Sequence, residues 1–80
     1  MIRPVVMDER DVEAIEVDLL LEAIYRRYGY DFRSYARASV ERRVRQIAAR
    51  TGAGSIASLI PQCLRDEDFF AEIAQQFSVS

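Results

Sequence analysis

Residues 18–35, DLLLEAIYRRYGYDFRSY, decide how this chain folds. Leu19, Leu20, Ala23, Ile24 and Tyr28 fall at the spacing of a helix, and the pattern breaks at Gly29. A glycine there suits the left-handed residue that closes many helices, and Arg26 and Arg27 before it complement the negative end of the helix dipole. Working back toward the N-terminus, Ile15 extends the stripe, so Ile15, Leu19, Ala23 and Ile24, widened by Leu20 and Tyr28, are the expected inner face. The helix is predicted from about Asp11 to Tyr28, with Asp8 or Asp11 as its cap and acids in its first turns. Residues 1–10 are expected to be flexible.

Working forward, Tyr30, Phe32 and Tyr35 crowd a short connector over residues 30–38. Their expected role is to plug the gap between the first two helices, because rings bury large apolar areas. A stacking platform for bases would instead need them exposed beside basic residues. A second helix is predicted from Ser39, as N-cap, to Thr51, closed by Gly52. At 100° per residue Val40, Val44, Ile47 and Ala48 share one face. Arg42, Arg45 and Ala49 point the opposite way, with Arg43, Gln46 and Arg50 on the flank. Gly52, Gly54 and Ser55 make a turn. A third helix, about Ile56–Leu64, offers Ile56, Leu59, Ile60 and Leu64 inward, but Pro61 removes one backbone donor and predicts a kink or a late start near Ser58. Asp66 caps a fourth helix, striped by Phe69, Phe70, Ile73 and Phe77. Adjacent phenylalanines cannot both sit on a narrow stripe, so Phe70 is expected inside and Phe69 partly exposed. The fold class is therefore all-α, a small four-helix orthogonal bundle forming one domain over residues 1–80.

Composition agrees with a single small domain. Of 80 residues, 50% are hydrophobic and 30% charged, ordinary globular values for a chain that can bury about 60% of its unfolded surface. No run approaches the roughly 18 apolar residues of a membrane span, and Met1–Met7 lack a signal-peptide core. A cytoplasmic location is the expectation. One cysteine, Cys63, and no histidine exclude an internal disulfide, a structural zinc site and a Ser-His-Asp or Cys-His pair. Cys63 is expected to be a semi-buried helix residue, and neither a catalytic residue nor a metal ligand is expected.

The net charge of −2 conceals a division. Residues 8–22 carry seven acids against Arg10, whereas residues 33–50 carry six arginines (Arg33, Arg37, Arg42, Arg43, Arg45, Arg50) against Glu41. All eleven basic residues are arginine. A cationic helix of this kind has three readings: a solvated face, a contact for nucleic-acid phosphates, or a dock for an acidic protein helix through bidentate guanidinium–carboxylate pairs. The acidic total and the acid-rich neighbours weigh against nucleic acid. Residue chemistry alone leaves the readings close to level.

The leucine-rich helix, the turn Tyr25-Arg26-Arg27-Tyr28-Gly29-Tyr30-Asp31-Phe32 and the run Arg42-Arg43-Val44-Arg45 closed by Gly52 together resemble the opening of the CheR chemoreceptor methyltransferases, over about Val17 to Ser80. Pro61 departs from the family's usual pattern. The resemblance implies the N-terminal helical domain of an enzyme that transfers a methyl group from S-adenosylmethionine to receptor glutamates, truncated before a C-terminal α/β methyltransferase domain. The donor would be held mainly by that second domain, so this chain alone is expected to be non-catalytic and to bind none. By the same resemblance Arg43 and Arg37 match substrate-contact positions; Arg42, Arg45 and Arg50 join them by charge, and Ser80 aligns with a first donor contact. The implied partners are methyl-accepting chemoreceptor cytoplasmic helices and the catalytic domain of the same chain, with no nucleic acid and no membrane insertion. The alternative is a free-standing helical adaptor for an acidic protein or an anionic ligand.

Overall fold

The computed structural model describes residues 6–78. Its elements are four helices: α1 (Glu9–Tyr28), α2 (Arg37–Thr51), α3 (Leu59–Arg65) and α4 (Glu67–Ser78). The architecture is all-α, with α1 packed on α2 and α3, and α4 packed on α3 and α2.

Each boundary has a local cause. Asp8 caps α1 through a reciprocal box: the Asp11 N–H donates to Asp8 Oδ1 at 3.1 Å, and the Asp8 N–H donates to Asp11 Oδ2 at 3.4 Å. Both aspartates named as alternative caps thus take part, and Glu9 and Arg10 are helical. Gly29 ends α1 at φ 81°, where its N–H reaches the Tyr25 carbonyl. Gly52 ends α2 at φ 74°, and the Ala53 N–H donates to the Ala48 carbonyl at 3.0 Å, a Schellman closure. Helix α2 starts at Arg37, two residues before the expected Ser39 cap, and Ala36 at its N-cap offers no side-chain acceptor. Helix α3 takes the late-start solution to Pro61. It begins after Ser58 and leaves Pro61 in its first turn, where the missing N–H has no intrahelical partner to lose. Asp66 Oδ1 accepts from the Phe69 N–H at 3.1 Å and starts α4.

Packing follows the sequence pattern on α2, where Val40, Val44, Ile47 and Ala48 are all buried. On α1 it does not. Leu20, Ile24 and half-buried Tyr28 face the core, but Val17 and Leu21 complete that face, while Ile15 and Leu19 are 44% and 54% exposed. The reason is that α1 carries apolar stripes on two opposite sides. Its periodicity identifies a helix without choosing a face, and α2 and α3 cover the Val17–Leu20–Leu21–Ile24 side. The same displacement occurs in α3, where Cys63 is fully buried and Leu64 turns outward. Phe69 and Phe70 are both buried, contrary to the expected split between them. Helix α4 sits against two neighbours, so its apolar arc is wide enough for both rings.

Aromatic contacts bind the connector to α4. Tyr28 and Phe70 stack at 3.8 Å between centroids, nearly parallel, and Phe32 meets Phe77 at 4.7 Å. The Tyr28 hydroxyl donates to the Cys63 carbonyl at 2.5 Å. Of the three connector rings only Phe32 takes the expected core role, and its helix contact is Phe77 of α4. Tyr30, stacked on Phe32, and Tyr35, edge-on to it, are 55% and 45% exposed, contrary to the core role expected of them.

Candidate recognition surface

The cationic side of α2 is built by helix geometry. Once Val40, Val44 and Ile47 are committed to the core, positions 42, 45 and 49 must face away from it. Arg42, Arg45 and Arg50 are exposed, and Arg42 and Arg45, three apart, are neighbours on the helix surface. Arg42 and Arg50 make no ion pair or hydrogen bond among the described residues. Arg45 approaches Glu41 only at 4.0 Å. These guanidinium groups are therefore available to carboxylates from outside, in the planar two-donor geometry that arginine favours.

The other arginines are differently placed. Arg37 lies in the first turn of α2, where positive charge opposes the helix dipole. Its guanidinium bridges to α1, donating to Asp18 Oδ1 at 2.7 Å and to the Ala14 carbonyl at 2.8 Å, and it also donates to Glu41 Oε2 at 2.7 Å. Partial burial works against its charge, but the bonds to Glu41 and Asp18 outweigh burial and hold its pKa above the ordinary value. Arg43 is half-buried and donates to the Gln76 carbonyl near the end of α4. Arg33 forms a two-point pair with Asp31, at 2.9 and 3.2 Å, and lies over the Tyr25 ring. The hydrogen bonds from Arg33 hold the Asp31 carboxyl below its usual range.

The arginines named from sequence thus separate. Arg42, Arg45 and Arg50 form one open surface; Arg43 borders it while tying α2 to α4; Arg37 ties α2 to α1. Ser80 lies outside the described residues. Sequence reading missed the contacts of Arg27, which donates to Glu67 at 3.2 Å and to the Leu64 carbonyl at 3.2 Å. A separation of 40 positions leaves no local signal for that pair. For Arg37 a signal existed, since Glu41 stands four residues on.

Among the described residues no polar side chain is buried. No described helix is long and apolar enough to cross a membrane.

Fold and surface together define a small all-α domain that presents one arginine-faced helix. The chain belongs to the CheR methyltransferase all-alpha domain family, whose model matches residues 15–78. It is also 35% identical over 71 residues to Cher3 of Pseudomonas putida, a protein named as a methyltransferase, across 89% of this chain and 26% of the relative. The chain therefore spans about a quarter of that relative's length. No solved structure matches it.

Proposed function

We propose that this chain is the receptor-recognition domain of an S-adenosylmethionine-dependent glutamate methyltransferase, and that the outer face of α2 docks on glutamate-bearing receptor helices. The observation that carries this reading is the open arginine face. Arg42, Arg45 and Arg50 extend into solvent, uncommitted to hydrogen bonds with acids of the same chain, while Arg43 stands at its edge. Glutamates one turn apart on a partner helix supply carboxylates at a matching repeat. Methyl transfer to a carboxylate depends on holding donor and acceptor in line, so a domain that orients the acceptor contributes through positioning rather than acid–base chemistry. The donor is assigned to a further domain, and the chain alone is expected to show no measurable donor affinity.

Isothermal titration with a helical peptide bearing glutamates at four-residue spacing tests the reading. Saturable binding that weakens with added salt is expected, falling about tenfold or more in Arg42→Glu/Arg45→Glu and little in Arg10→Glu. Unchanged affinity in the double variant would reduce this surface to a solvated face.

A further inference from the structure

The outward face of α1 combines two features that seldom coincide on a surface without a partner. Val12, Ile15 and Leu19 follow the 3–4 spacing of a coiled-coil seam, and all three are exposed. Ala23 continues the line into a shallow groove that it shares with Arg26, Arg27 and the exposed Leu64 of α3. The twelve residues of helix from Val12 to Ala23 span about 17 Å, roughly three turns. Acids border the Val12–Leu19 stretch on both sides, Glu9 and Glu16 along one edge and Asp11 and Glu22 along the other, while Arg26 and Arg27 stand at its C-terminal end. Glu9, Glu16 and Glu22 make no ion pair within 4 Å among the described residues, and only Glu22 feels a nearby cation, Arg33.

We propose that this face is a docking surface for a basic amphipathic helix of a partner protein, with apolar residues laid along Val12, Ile15 and Leu19 and Lys or Arg on both flanks. This goes beyond the proposed role of α2, which takes a partner of opposite charge on another helix. Charge selects the occupant. Flanking positions of a helix pair set partner choice through opposite charges, and like charges there are repulsive. A second copy of α1 would bring one acid-bordered seam against another. The outer face of α2 has the right charge but, with Ala38, Arg42, Arg45, Gln46 and Ala49, no large apolar side chain to fill the seam. A contiguous exposed apolar strip rimmed by charge is the usual mark of an interaction site.

The test uses the whole chain and three designed 18-residue helical peptides: a leucine seam with Lys flanks, the same seam with Glu flanks, and Lys flanks with a serine seam. The first is expected to bind saturably and about tenfold or more tighter than either of the others. Leu19→Ser, at an exposed position, should abolish that preference with unchanged far-ultraviolet circular dichroism. Glu16→Lys/Glu22→Lys should reverse it, so that the Glu-flanked peptide binds better. Equal binding of both leucine peptides, a preference that survives Leu19→Ser, or a concentration-dependent dimer of the chain that Leu19→Ser dissolves would each overturn the proposal.

Discussion

Arg42 and Arg43 are adjacent in sequence and differ in what they hold. Arg42 ends in solvent, whereas Arg43 donates to the Gln76 carbonyl on the last turn of α4, where the helix leaves its carbonyls without intrahelical partners. A cation there also meets the negative end of the α4 dipole. Reversing the charge at Arg43 removes a charge-assisted hydrogen bond and places a carboxylate against carbonyl oxygens. Arg43→Glu is therefore expected to lower stability by about 1–2 kcal/mol, and Arg42→Glu by no more than about 0.5 kcal/mol. Urea denaturation of both variants checks this; equal midpoints would show that the Gln76 contact contributes nothing. The difference could not be read from sequence, which places both residues on one cationic segment, because Gln76 lies 33 residues away. It also decides how function should be tested, since Arg42, Arg45 and Arg50, unlike Arg43, can be reversed without disturbing the Gln76 contact between α2 and α4.

At the scale of elements, α2 is the helix whose faces were legible and whose start was not. Val40, Val44, Ile47 and Ala48 form one apolar stripe on an otherwise polar helix, so only one packing is available to it. Helix α1, with Val12, Ile15 and Leu19 opposite Val17, Leu20, Leu21 and Ile24, has two stripes, and its neighbours choose between them. The expected face was half wrong for that reason. The unexpected start of α2 has a tertiary cause. Ala36 supplies no cap, and the first turn is held instead by Arg37 reaching Asp18 and the Ala14 carbonyl on α1. Arg37→Ala is expected to cost about 1 kcal/mol, a discounted figure because the pair is partly exposed, and to raise amide exchange at the N-terminal turn of α2 more than at its C-terminus. Arg37→Lys should restore little, since an ammonium cannot span three acceptors in the fixed fork of a guanidinium. Uniform exchange along α2 in Arg37→Ala would remove the clamp from the account of this helix.

For the whole molecule, Cys63 reports on cooperativity because it lies where α1, α3 and α4 meet. Its side chain is fully buried, and the Tyr28 hydroxyl that stacks over Phe70 donates to its carbonyl. Burial pushes the thiol up from 9.0 to about 11, since the thiolate would lose its hydration in the core. Between those values the unfolded chain has released its proton while the folded chain retains it. The unfolded state then binds fewer protons, so stability falls as pH rises. The contribution is fully present below pH 9 and is lost on the way to pH 11. Two units correspond to about 2–3 kcal/mol, a sizeable share of the roughly 4–12 kcal/mol expected of a domain of this length. Denaturation of the native chain and of Cys63→Ala from pH 8 to 11 isolates the effect, because every other group titrating in that window is common to both. The alanine variant starts lower, having a small cavity, but its stability should decline less steeply. Thiol labelling at pH 8 gives an independent measurement: with no route to Cys63 short of opening the core, the labelling rate should be suppressed by about the global unfolding constant and rise in proportion as urea is added. Parallel pH slopes in the two proteins, or labelling far faster than global unfolding permits, would mean that α3 opens on its own and that the four helices do not unfold as one unit.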